Sequence, residues 1–183
     1  MLEAARSLIG GRGDLSAFSM DAVAEKAGVA RMTVYNQFGS RAGLLEALAD
    51  HLAADGGMAR MAEVFREPDP DKALRALAER FVEFWASDRA TLRRMRALGV
   101  AFPSQDSPPP NRDAWRREAV ANLLRRPRGR GPAVPTVSEE AIDVITTLTS
   151  FEMFDALCTG RRKPADVARL IGDLSVRIAH PVL

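Results

Sequence analysis

The sequence predicts an all-α protein, and three observations carry that prediction. Between breakers the chain is dominated by Ala, Leu, Arg and Glu, which are strong helix formers. Apolar residues recur at helical intervals, as in Met20, Val23, Ala24 and Ala27, and alternating strand patterns are missing. Gly and Pro gather in short interruptions, among them GGRG at 10–13, PSQDSPPP at 103–110 and PRGRGPAVPTV at 127–137, which cut the chain into helix-length pieces.

The first helix is expected over 2–9, ended by Gly10 and Gly11. Ser19 is placed to cap a second, with Asp21 in its first turn complementing the helix dipole. Gly28 supplies the left-handed residue that closes it. A short third helix runs over 31–38 with Val34 and Phe38 inward, and Ser40 can cap a fourth carrying Leu44, Leu45, Leu48 and Leu52. Longer helices follow: 71–85 with Leu74, Leu77, Phe81 and Trp85, then 89–102 with Leu92, Met95 and Leu98. Another covers 111–126, one continuous helix runs from Ser138 to Thr159, and a last one occupies 164–179. The Gly56-Gly57 pair is the best boundary, separating a small N-terminal unit at 1–56 from a larger helical bundle at 57–183.

The totals exclude several classes of function. One Cys and two His cannot build a disulfide framework and make a Cys/His metal cluster unexpected, so neither metal nor cofactor is anticipated. Cys158 lies near a helix C-terminus, where the dipole disfavours a thiolate. GGRG lacks the Lys-Ser/Thr of a phosphate loop, and no nucleophile pattern accompanies His51 or His180, so catalysis is not expected. The N-terminus lacks a signal-peptide pattern and no apolar run approaches the ~18 residues of a membrane span, which predicts a cytoplasmic protein without a membrane partner.

Net charge is only +2, so overall charge argues little for a nucleic-acid partner. Its distribution is uneven: residues 1–56 hold five Lys/Arg against seven Asp/Glu, whereas 89–130 holds eleven Arg against three acids. Solvated helix faces and a phosphate-binding role both remain open for that arginine run.

The stretch GVARMTVYNQF at 28–38 is the most informative. Two short helices joined at Gly28-Val29-Ala30 make a helix-turn-helix. In such a unit the second helix enters the DNA major groove. With Val34 and Phe38 inward, Met32, Thr33, Asn36 and Gln37 point outward, Tyr35 lies on the flank and Arg31 can swing out. Arg suits guanine and Asn or Gln suits adenine, while Thr and Tyr hydroxyls suit phosphate oxygens. On residue types alone an ordinary surface helix fits as well.

FSMDAVAEKAGVARMTVYNQFGSRAGLLEAL at 18–48 resembles the DNA-binding unit of TetR-family transcriptional regulators. The shared pattern is the VAEKAGV turn, Thr33, Tyr35 and Phe38 at their usual spacing, a cation at Arg41, and Leu44-Leu45. The resemblance implies that Arg31 and Met32 approach bases, that Thr33 and Tyr35 contact backbone, and that Asn36 and Gln37 occupy variable positions at the DNA surface. It also implies phosphate contacts from Arg41 and Ser19. Three departures accompany it. Met32 stands where many relatives have Gly, and Ala30 replaces the usual Ser and its cap, worth ~1 kcal/mol. Leu2 aligns with the middle of the family's first helix, without the customary basic tail and leading Arg, which lowers the expected phosphate-driven affinity.

The bundle is similar to the family's ligand-binding and dimerising domain, and TSFEMFDAL at 149–157 looks like a stretch in some members' penultimate helix. The resemblance implies a homodimer on a pseudo-palindromic double-stranded DNA operator and a small-molecule effector. The stretch 139–158 carries apolar residues on two sides, so one side is available to a partner. Ile142, Ile145 and Met153, with Val167, Leu170, Ile171, Leu174 and Ile178 of the last helix, are the candidate dimer interface. Phe81, Trp85, Met95, Phe102, Phe151 and Phe154 are the candidate effector pocket, and plain core is the competing reading of the same stripes. The leading expectation is a ligand-responsive repressor; the alternative is a helical small-molecule-binding protein that has lost specific DNA binding.

Overall fold

The computed structural model describes residues 1–101, 111–127 and 138–180, and Phe102 of the candidate pocket lies outside them. Among the described residues there is helix and loop but no strand. In chain order the helices are α1 (Leu2–Gly10), α2 (Met20–Ala27), α3 (Arg31–Phe38), α4 (Arg41–Asp55), α5 (Met61–Arg66), α6 (Pro70–Ser87), α7 (Arg89–Ala101), α8 (Asn111–Leu124), α9 (Glu139–Leu148), α10 (Phe151–Leu157) and α11 (Pro164–Ala179). Helices α1 to α4 with α7 form one compact unit, and α5, α6 and α8 to α11 form the other.

In the first unit α1 buries Ala5 and Ile9 and packs against α2, α4 and α7. A 3₁₀ turn at Leu15–Ala17, opened by Asp14 accepting from the Ser16 N–H at 2.9 Å, delivers Phe18 into the core. Ser19 then starts α2 as its spacing predicts, its hydroxyl accepting from the Ala22 N–H at 3.1 Å. Gly28 ends α2 at φ +66°, where a side chain would be strained, and the Val29 N–H reaches back to the Ala24 carbonyl at 3.0 Å.

Although α7 is distant in sequence, it joins this unit for identifiable reasons. Asp88, just before it, accepts from Arg6 Nε at 2.8 Å. Arg94 donates to the carbonyl of Ile9, an acceptor that α1 leaves open at its C-terminal end, and to that of Gly13 in the loop beyond it. Arg6 also bonds Asp55 at 3.1 Å, and His51 sits 2.7 Å from Glu3, so polar pairs tie α1 to the C-terminal end of α4 as well as to the start of α7.

The second unit is built around α6, which buries Leu74, Leu77, Phe81, Val82, Phe84 and Trp85. Its most extensive partner is α11, and α5, α8 and α10 also lie against it. The two long helices approach closely because Gly172 lacks a side chain: a Cβ there would stand 3.2 Å from Arg75 Cα. Helix α9 packs on α8, α10 and α11.

Three boundaries differ from expectation. A 3₁₀ turn at Met58–Arg60 and α5 occupy a stretch where no element is expected, and α6 starts at Pro70, with the Asp69 carboxylate accepting from the Asp71 and Lys72 N–H groups at 2.9 and 3.2 Å. Helix α8 ends at Leu124, and Arg126 beyond it donates to the Glu67 and Phe65 carbonyls at 2.8 and 2.5 Å. The single helix expected from Ser138 to Thr159 is two helices, α9 and α10. The Thr149 hydroxyl donates back to the Ile145 carbonyl at 3.0 Å, and Ser150 restarts the chain by accepting from the Met153 N–H at 3.2 Å. Adjacent Thr and Ser thus satisfy locally the groups that helix continuation would otherwise bond.

Gly172→Leu is expected to lower stability by about 1–3 kcal/mol, because the added side chain must push α11 off α6. Urea unfolding measures this, with Gly13→Ala, at a position facing open space, expected to be neutral.

Candidate nucleic-acid interface

Helices α2 and α3 and the turn between them form the helix-turn-helix. Val34 is the one α3 side chain fully removed from solvent. Phe38, expected to be its equal as an anchor, is only half-buried, as is Tyr35. Arg31, Met32, Thr33, Asn36 and Gln37 are all exposed, with Met32 at 63%. The helix therefore presents a continuous outward set of one cation, one thioether, one hydroxyl and two amides around a single buried pin.

Ser19 and Arg41 flank this face and are half-buried. The Arg41 guanidinium stands 5.3 Å from the centroid of the Phe18 ring, in cation–π geometry. Arg31 is also organised. Its Nε lies 2.8 Å from the Asp21 carboxylate, Nη2 donates to the Tyr35 hydroxyl at 3.3 Å, and the guanidinium carbon is 5.2 Å from the Tyr35 ring centroid. The Tyr35 hydrogen bond and then the Asp21 charge hold its pKa above the ordinary arginine value. Neither Asp21 as the partner of Arg31 nor Phe18 as the platform of Arg41 follows from sequence spacing, since both contacts cross between elements.

Ala30 takes the N-cap position of α3 in extended conformation, φ −66° and ψ 144°, and offers no side-chain bond to the helix. The missing cap noted from the sequence is therefore a real vacancy in an otherwise suitable backbone.

The candidate pocket residues divide between the units. Phe81, Trp85, Phe151 and Phe154 form a buried aromatic chain in the second unit: Phe81 to Trp85 at 6.1 Å, Trp85 to Phe151 at 5.7 Å, Phe151 to Phe154 at 6.3 Å between centroids. The Trp85 Nε1–H donates to the Thr149 carbonyl at 3.0 Å. Met95 belongs to the first unit, on α7. Trp115, to which the sequence reading gives no role, sets its edge on Phe81 at 6.4 Å and is 46% exposed. A groove of about 590 Å³ lies elsewhere in the second unit, between α6 and the start of α11, lined by Val82, Ala86, Pro164, Ala165 and Ala168 among others.

The candidate interface residues also divide. Ile142, Ile145, Val167 and Ile171 are wholly buried within their own unit. Met153, Leu170, Leu174 and Ile178 are half-buried, and Val144 is 46% exposed. Of the candidate interface residues, Met153, Leu170, Leu174 and Ile178 are thus the ones that keep accessible surface.

Several members of the arginine run are engaged inside the protein. Arg94 and Arg126 bond carbonyls as described, and Arg117 bridges Glu139 and Asp143 at 2.6 and 2.9 Å. Arg128 and Arg130 lie outside the described residues. No helix among the described residues is long and apolar enough to cross a membrane.

Residues 1–48 match the family model of bacterial regulatory proteins, tetR family. No curated protein matches the chain significantly. The match spans α1 to the middle of α4, including every residue of the outward α3 face, and supports a DNA-binding transcriptional regulator of the TetR family.

Installing the missing cap is expected to stabilise the interface unit: Ala30→Ser should raise unfolding free energy by about 1 kcal/mol, since the backbone already has capping geometry. A urea midpoint that rises with unchanged slope confirms it, and an unchanged midpoint refutes it.

Proposed function

We propose, starting from a TetR-family DNA-binding regulator, that this protein is a ligand-responsive repressor acting as a homodimer on a pseudo-palindromic operator. The observation that carries the reading is the α3 face, five exposed side chains of base- and phosphate-contacting type arranged around buried Val34. In this reading α3 lies in the major groove. Arg31 and Met32 reach base edges, and Asn36 and Gln37 read neighbouring positions. Thr33 and Tyr35, with Ser19 and Arg41 at the flanks, fix register on phosphates.

Two copies pair through the apolar surface that the second unit leaves open: Val144, Met153, Leu170, Leu174 and Ile178. Pairing sets the two α3 helices ~34–36 Å apart, the spacing of successive major grooves on one DNA face. An effector held by the bundle, with Trp115, whose ring rests against buried Phe81, as its accessible aromatic contact, favours a dimer in which that spacing is wrong. Reversing occupancy from 99:1 requires a preference of ~5.5 kcal/mol for the unbound form.

The test is selection of genomic DNA fragments by the purified full chain at about 150 mM salt, where nonspecific binding is weak. A recovered pseudo-palindrome that is lost with Tyr35→Ala is expected. Fragments without a common sequence would instead favour a helical small-molecule-binding protein lacking an operator.

A further inference from the structure

We propose that Asp21 is a positioning residue for sequence reading: it holds Arg31 so that the guanidinium presents its distal N–H groups to a guanine rather than to a phosphate. The inference rests on the proposal that α3 reads DNA.

The geometry behind it is specific. Arg31 is 63% exposed and Asp21 56% exposed, so neither is driven into contact by burial. An arginine in the first turn of an exposed helix ordinarily samples many rotamers. Here three contacts converge on one. The Asp21 carboxylate forms an ion pair with the guanidinium, 2.8 Å from Nε, the Tyr35 hydroxyl accepts from one N–H of Nη2 at 3.3 Å, and the Tyr35 ring centroid lies 5.2 Å from the guanidinium carbon. Arginine carries five N–H donors. With one Nη2 donor taken by Tyr35 and Nε held beside the Asp21 carboxylate, both Nη1 donors and the second Nη2 donor are left at the distal end. A pair drawn from the two nitrogens matches the O6 and N7 acceptors of guanine in the major groove.

The support comes from a different element. Asp21 belongs to the first turn of α2, whose start is fixed by Ser19 accepting from the Ala22 N–H at 3.1 Å. Because α2 is a core-anchored helix burying Met20, Val23 and Ala24, the backbone that carries Asp21 is a fixed reference against which Arg31 is held. A carboxylate this close to the DNA-facing surface repels phosphate and lowers sequence-independent affinity. It also makes a swing of Arg31 onto the phosphate backbone unfavourable, because that motion abandons the ion pair. Both effects trade general affinity for discrimination at one base pair.

The test uses the full chain and a randomised duplex DNA library, selected with wild type, Arg31→Ala, Asp21→Asn and Asp21→Glu. Binding is then measured on the best wild-type duplex, its single-base-pair changes and a scrambled duplex. Far-UV circular dichroism checks that each variant is folded. The base pair whose preference disappears in Arg31→Ala identifies the position read by Arg31, and it is expected to be G·C in both half-sites. Asp21→Asn should reduce the guanine preference at that position by at least about fivefold, leave other positions unchanged, and bind the scrambled duplex more tightly. In Arg31→Ala, adding Asp21→Asn should have no further effect on base preference. Asp21→Glu, which keeps the carboxylate, should retain part of the preference. If Asp21→Asn tightens binding to every duplex while discrimination stays intact, Asp21 merely competes for Arg31 and the proposal is overturned. It is equally overturned if Arg31→Ala changes preference at no position. Lack of enrichment by the wild type itself overturns the DNA-reading function, and with it this role.

Discussion

Helix α3 has eight residues, too few to be stable in water without tertiary support. Its orientation depends on the seat of Val34, the only one of its side chains completely withdrawn from solvent. Burying a valine contributes on the order of 1.5–3 kcal/mol, enough to dock a short helix but with little reserve. The surrounding features relieve that single contact. Gly28 turns the chain at the required angle, Tyr35 and Phe38 contribute partial burial, and α4 closes the far side with Leu44, Leu45 and Leu48. A single narrow anchor has a functional corollary, since it leaves most of the helix circumference free to face a partner.

The second constraint is electrostatic, and it concerns how charges are placed rather than their sum. The N-terminal residues are slightly acidic overall, yet the cations near the outward face are individually organised, Arg31 by Asp21 and Tyr35, Arg41 by Phe18. Exposed pairs of this kind add little to stability. In the proposed reading their effect lies in direction, because a fixed guanidinium loses less freedom on meeting a base or a phosphate. The arginines from 89 onward that bond carbonyls and carboxylates within the protein, Arg94, Arg117 and Arg126, serve packing instead. Similar composition in two segments therefore supports different tasks.

Local chemistry was legible in the sequence wherever a residue acts on its own neighbours. Ser19 capping α2, left-handed Gly28 and the limits of α3 are visible as spacing because cap and turn bonds span only a few residues. The break between α9 and α10 was missed because Thr149 and Ser150 sit inside an unbroken apolar pattern, and their hydroxyl bonds outweigh it locally. The membership of α7 in the first unit was equally hidden. It depends on Arg94 meeting the carbonyls of Ile9 and Gly13 across a long stretch of chain, and periodicity carries no information about such pairs. For the candidate interface, residue types identified the outward α3 face, whereas the Asp21 and Phe18 contacts arise only once the helices are docked. In the bundle, apolar stripes did not distinguish buried Ile142 and Ile171 from half-buried Leu170 and Leu174, because both groups share helical spacing.

The central claim is that α3 reads base edges from within the major groove, and methylation interference on a selected duplex tests it most directly. Guanine N7 lies in that groove, so its methylation blocks a side chain there without altering the phosphates. The account predicts interference confined to two clusters whose centres lie ~10–10.5 base pairs apart, one per α3 helix. Binding insensitive to N7 methylation, or interference spread evenly along the duplex, would contradict it.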